Sequence, residues 1–96
     1  MNNNKIYNVV VATFTRQQEI EVLARCNAVT IRNLGDIALR INGILLQPPP
    51  GPGLSGEFVS FEGNDGEYYN GRLSLVFNAG GLAPLAEVTQ KYYLDF

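Results

Sequence analysis

Ser55, Ser60 and Ser74 are the serine nucleophiles to consider and Cys26 is the only thiol, but the chain contains no histidine to act as their general base. A serine–lysine device needs an amine beside the hydroxyl. Lys5 and Lys91 sit near opposite ends of the sequence, with no spacing that brings either to a serine. Glu57, Glu62, Asp65 and Glu67 gather around one glycine-rich segment and supply the oxygen ligands calcium prefers. Their order does not follow a calcium-binding loop, and acidic residues in such turns commonly stay solvated or bond neighbouring amides. Gly51 and Gly53 are not followed by the lysine and hydroxyl residue of a phosphate loop. A lone cysteine cannot close an intrachain disulfide, and without histidine a conventional zinc site is excluded. Cys26 reads as a small buried apolar residue. The sequence therefore predicts no enzyme, no cofactor and no metal site.

Tyr7, Tyr68, Tyr69, Tyr92 and Tyr93 are the remaining groups with a recognition chemistry, since tyrosine presents an apolar ring with a polar tip suited to sugars or to protein interfaces. Four of them form adjacent pairs, and neighbours on a strand point to opposite faces. One ring of each pair is assigned to the core and the other to a subunit contact, which makes Tyr69 and Tyr93 candidate contact residues.

The elements that must carry these residues are strands. Val9, Val10 and Val11 are β-branched and favour an extended chain, giving a first strand over Asn8–Phe14. Glu19 and Glu21 alternate with Ile20 and Val22 between Gln17 and Ala24, a period of two, with a helix over the same stretch as the alternative because its residues tolerate one. From Ala28, Val29 and Ile31 face one way and Thr30 and Arg32 the other, until Gly35-Asp36 ends the run. Ile37, Leu39 and Ile41 repeat the period, and Asn42-Gly43 accepts the positive φ of a two-residue hairpin turn before Ile44-Leu45-Leu46. A glycine bulge within one longer strand is the alternative at that point. Pro48, Pro49, Pro50, Gly51, Pro52 and Gly53 cannot join a central strand and predict an exposed, stiff loop. Beyond it, Glu57–Phe61 is expected to turn Phe58 inward with either Val59 or Phe61. Tyr68–Phe77 is expected as a long strand with Leu73, Leu75 and Phe77 on one face, with a bend or interruption at Asn70-Gly71 as the alternative. After a link over Asn78–Pro84, Val88–Phe96 places Val88, Tyr92, Leu94 and Phe96 on one face and Tyr93 opposite.

Seven or eight strands and no helix predict an all-β fold, a small antiparallel β-sandwich of Greek-key or jelly-roll type, in a single domain over residues 1–96. A composition of 46% hydrophobic and 17% charged residues excludes a disordered chain and leaves more uncharged surface than a solitary soluble domain needs, which points to burial against partners. Seven basic against nine acidic residues, a net charge of −2, lack the basic footprint of a nucleic-acid binder. No apolar stretch has the length of a membrane span or the pattern of a signal peptide, so synthesis without export and no membrane partner are expected.

Val29-x-Ile31-x-Asn33-x-Gly35, Ile41-Asn42-Gly43, Pro50-Gly51, Phe61-x-Gly63-Asn64-x-Gly66-Glu67 and Leu75-x-Phe77 together resemble small virion proteins of tailed phages infecting Bacteroides, the crAss-like group included. The resemblance covers roughly half the chain, and its shared positions shape turns, so no ligand-contacting residue carries over; the run Pro48–Pro52 and Gly80-Gly81 depart from the pattern. It implies a small β-sandwich serving as an auxiliary (decoration) capsid protein or a tail or fibre adaptor. The expected partners are then the major capsid protein or other virion proteins, met in multiple copies per particle, and the expected location is the virion, after synthesis in the host cytoplasm. Pro48, Pro49, Pro50 and Pro52 join Tyr69 and Tyr93 as the candidate contact surface. A carbohydrate-binding β-sandwich module is the alternative.

Overall fold

Among the described residues eight strands make the fold: β1 (Tyr7–Phe14), β2 (Gln18–Glu21), β3 (Cys26–Asn33), β4 (Leu39–Ile41), β5 (Ile44–Leu46), β6 (Phe58–Glu62), β7 (Arg72–Phe77) and β8 (Ala86–Tyr93). The computed structural model describes residues 7–51, 54, 56–63, 68–69, 71–78 and 83–94. The strands form two four-stranded antiparallel sheets, ordered β1-β8-β3-β6 and β2-β7-β4-β5. The pairs β1–β8, β2–β7, β3–β6 and β4–β5 are those of one long hairpin with its tip between β4 and β5. The β3–β8 and β4–β7 ladders close the two sheets. This is the jelly-roll arrangement, within the β-sandwich class that the strand pattern predicts.

The tip turns as Asn42-Gly43 requires. Asn42 has φ 49 and Gly43 φ 85, the two positive values of a type I′ turn, so the glycine-bulge alternative is excluded. Asn42 is also clamped to β7: its Oδ1 accepts the Ser74 amide at 2.7 Å and its own amide donates to the Ser74 carbonyl at 3.0 Å.

Alternation fills the core. Val29 and Ile31 from β3 and Ala86 and Val88 from β8 face Leu39 and Ile41 from β4 and Leu73 and Leu75 from β7, all essentially fully buried. Side chains of this kind contribute roughly 1.5 to 3 kcal/mol each on burial. Ile20 is the buried residue of β2, between exposed Glu19 and Glu21, as period two demands.

Three sequence expectations need correction, and one open alternative is decided. Phe58 is 58% exposed, because Val59 and Phe61 take the inward positions of β6 opposite Ile31 and Val29. The strand over Tyr68–Phe77 takes the interrupted form: it starts only at Arg72, after Gly71 with φ 155, while Asn70 lies outside the described residues. The last strand starts at Ala86 and ends at Tyr93, so Ala86 and Gln90 join its inward face and Leu94 is exposed; Phe96 lies outside the described residues. Pro48 and Pro49 are half-buried, and only Pro50 of the described prolines in that loop is exposed.

Candidate contact surfaces

Among the described residues β1 pairs with β8 alone. Its eight residues pair with β8 in one unbroken register from Tyr7↔Tyr93 to Phe14↔Ala86. Cross-strand partners share a face, so Asn8, Val10, Ala12 and Phe14 lie on the inward side with Ala86, Val88, Gln90 and Tyr92. Only Phe14 reaches the core cluster; β2, at the edge of the facing sheet, is four residues long, and Val10 and Ala12 stay exposed. Tyr7, Val9 and Val11 lie on the outward side. The result is an apolar ribbon, with Val9 and Val11 each 55% exposed and Val10 39%.

A second apolar feature lies at the end of the sandwich where loops converge. Leu34, Pro49, Leu54 and Leu85, with Thr15 and Asp36 at the margin, line an open groove of about 750 Å3. Its walls are held by polar bonds. Asn33 is fully buried: its Nδ2 donates to the carbonyls of Ile37 at 2.9 Å and Leu46 at 3.0 Å, and its Oδ1 accepts the Gly35 amide at 3.0 Å. Asp36 Oδ1 accepts the Ala83 amide at 3.0 Å. The proline loop is closed at its base by Gln47 and Glu57, the Gln47 amide donating to Glu57 Oε1 at 2.7 Å and the Glu57 amide to the Gln47 carbonyl at 3.0 Å. Glu57 is thus a loop staple, which is a sufficient reason for its place beside the turn.

The five described residues of the expected contact surface are not brought together. Pro49 lines the groove, Pro48 is half-buried beside it, Pro50 is exposed and Pro52 lies outside the described residues. Tyr69 is half-buried, stacked on Phe61 with ring centroids 5.7 Å apart, at the margin of the core. Tyr93 does point to the face opposite Tyr92, yet it is only 4% exposed because Tyr7 and Tyr68 pack over it at 5.0 and 5.9 Å. Tyr93 and Tyr69 therefore serve packing within this chain. The three clustered rings are tilted against each other, by 32° and 47°, and do not share the plane that would stack on a sugar. Lys91 Nζ sits 4.0 Å from the Tyr7 ring centroid and adds a cation–π contact to the same cluster.

Cys26 and Ser60 are spent on structure. Cys26 is fully buried and its Sγ donates to the Ala28 carbonyl at 3.3 Å; desolvation pushes its thiol pKa up, partly opposed by backbone hydrogen bonding at Ala28. A neutral, covered thiol is a poor nucleophile. Ser60 Oγ lies 2.8 Å from Thr30 Oγ1, across the β3–β6 ladder. Among the described residues no group of three or more Cys, Asp or Glu side chains converges as a metal site; Ser55, Asp65 and Glu67 lie outside them.

Asn33, Gln90 and Asp36 were not singled out by chemistry-first reading of the sequence. Asn33 carried a signal in Asn33-x-Gly35, the spacing at which an asparagine side chain binds the amide two residues on. Gln90, whose Oε1 accepts the Leu23 amide at 2.8 Å, gave none, since a glutamine on an apolar period looks like a surface position. No protein-family model and no curated protein sequence matches this chain.

Proposed function

We propose that this chain is a non-enzymatic structural protein that acts through protein–protein contacts, as an auxiliary protein on the shell of a tailed phage. The observation that carries the contact reading is the β1 ribbon: an eight-residue strand without a charge, with Val9, Val10 and Val11 all substantially exposed. Apolar side chains aligned in this way favour burial against another protein. The groove under the proline loop adds a second surface of the same character. The assignment to a phage shell rests on the turn pattern quoted above. It is consistent with a jelly roll, a fold used by capsid proteins but also by lectins, so the fold alone does not decide the role.

On a shell, many identical copies bind together, and each contact can be modest and still hold the layer in place through multivalency. The partner is then the major capsid protein or a neighbouring virion protein. Mass spectrometry of gradient-purified particles tests the reading. The chain should co-sediment in a fixed ratio to the major capsid protein; its absence from particles, with glycan-array binding by the free protein, would replace this reading with the carbohydrate-binding one.

A further inference from the structure

Every open sheet is a template for another strand, and proteins blunt such edges with short strands, charges, prolines or bulges. Three of the four edges here are blunted. β2 has four residues, of which Glu19 and Glu21 are charged and exposed; β5 has three residues; β6 has five and ends on the exposed Glu62. β1 is different in every respect: eight residues, no charge, no proline, and no register shift against β8. Among the described residues no strand pairs with its outer edge.

The direction of that edge is readable from Asn8. The Val9 amide donates to Asn8 Oδ1 at 3.0 Å, so it turns away from β8 and toward the open side. Amides alternate along a strand, which puts the Val11 and Thr13 amides on the same open side.

The geometry points to a second copy of this chain as the occupant, its β1 antiparallel to this β1 about a twofold axis at Val10. In that register Val9 lies opposite Val11 of the second copy, and both have their amides on the open edge, as a hydrogen-bonded pair requires; the Val9 amide exchanges its bond to Asn8 Oδ1 for one to the Val11 carbonyl of the second copy. Val10 lies opposite itself, and Asn8 opposite Ala12. The triple valine makes the centre of the strand read alike in both directions, so each copy offers what the other needs, the condition for an isologous interface. Within β1 and β8 no charged side chain is set against a like charge, and the nearest such pair on these strands is Lys91 and its counterpart, three strand spacings apart, about 14 Å. That exceeds the screening length of about 8 Å at physiological salt. The product is one continuous eight-stranded sheet, β6-β3-β8-β1 followed by its mirror order, with the valine ribbons of both copies adjacent on each face. This deepens the contact reading above by naming the partner of β1, and it does not depend on the partner being a capsid.

Sedimentation equilibrium on the whole chain should show a monomer–dimer equilibrium. The double substitution Val9→Lys and Val11→Lys, at exposed positions, should keep the wild-type circular dichroism spectrum and weaken dimerisation by about tenfold or more, since it sets like charges directly opposite. Register is tested by Val10→Cys. At a non-hydrogen-bonded pair the Cα atoms stand about 4.5 Å apart, within disulfide reach, so mild oxidation should give a covalent dimer. Val9→Cys should give far less, because its counterpart lies two residues along. A wild-type chain that stays monomeric up to its solubility limit, or a dimer indifferent to the lysines with no disulfide from Val10→Cys, would overturn the pairing. A monomer that still co-sediments with particles sinks this pairing alone; a Val10-linked dimer absent from particles sinks the shell assignment alone.

Discussion

Asn33 Nδ2 and the Leu46 carbonyl, 3.0 Å apart, join the end of β3 in one sheet to the end of β5 in the other. With its bonds to Ile37 and Gly35, the Asn33 side chain fixes three chain segments around one buried amide. A buried polar group bonded in this way is costly to remove, because its former partners keep their desolvation penalty without the compensating bond. Asn33→Ala and Asn33→Asp should each lower stability by about 2 to 4 kcal/mol. The aspartate substitution presents an anionic oxygen to the carbonyls that now accept bonds. Urea denaturation measures the loss, and a midpoint within error of wild type would show that water replaces the amide freely.

Gly43 has φ 85 and no heavy atom within 4 Å of where a Cβ would stand, so substitution there probes backbone strain with no steric contact. Gly43→Val should cost about 1 to 3 kcal/mol, since a β-branched residue resists that region. Gly43→Asn should cost much less, as asparagine tolerates it. Equal losses for the two in chemical denaturation would mean that the turn rearranges instead of bearing the strain.

Gly56 is a different case. A Cβ at this position would collide with the Asn33 carbonyl oxygen and touch Pro49 Cδ at 3.0 Å. Backbone cannot yield as a flexible side chain does, so Gly56→Ala should destabilise by about 2 kcal/mol or more, as an overpacked core does. The same substitution should disturb the groove. Heteronuclear NMR should show shifts at Leu54 and Asn33 while Tyr7 and Tyr93, at the far end of the β1–β8 ladder, keep theirs, and shifts spread evenly over both sheets would contradict the local origin.

Cys26 should be protected from alkylation in the folded protein and react on unfolding. Burial raises its folded pKa above the ordinary value of 9.0, so the folded state keeps the proton longer than the unfolded one. The sign then follows from linkage: the contribution is fully present below pH 9.0 and is lost as pH rises through the folded value. Stability measured from pH 7 to alkaline pH should therefore fall less steeply for Cys26→Ala than for wild type. A steeper fall for the variant would refute the assignment.

Much of the fold was legible because it depends on periods of two. Val29, Ile31, Leu39, Ile41, Leu73 and Leu75 alternate with polar neighbours, and the buried positions follow from that alone. Asn42-Gly43 announced its turn by composition. Phe58 misled because hydrophobicity was weighed above phase: the next two inward positions belong to Val59 and Phe61, and a strand cannot turn three consecutive odd and even residues the same way. Tyr93 faces away from Tyr92 as expected, but its burial depends on Tyr7, which meets it only once β1 and β8 pair, and on Tyr68, from the segment between β6 and β7; both are distant in sequence. The bare edge of β1 was invisible for a similar reason, since edge or centre is a property of strand order and not of any local pattern.

Strand order also sets when the chain can fold. Asn8 and Tyr92, joined side chain to side chain at 3.0 Å, are 84 positions apart, and β1 has no other strand partner among the described residues than β8, the last of the eight. During synthesis at about 5 to 20 residues per second, the valine strand would wait several seconds for the segment that pairs with it. Contacts of such separation make for slow folding, on the order of milliseconds to seconds for all-β domains. In a cell making many copies at once, the same uncharged strand is exposed on every unfinished chain. Its ability to add to another β-edge is therefore also a hazard during biogenesis, and the yield of soluble protein should depend on how quickly β8 arrives to claim it.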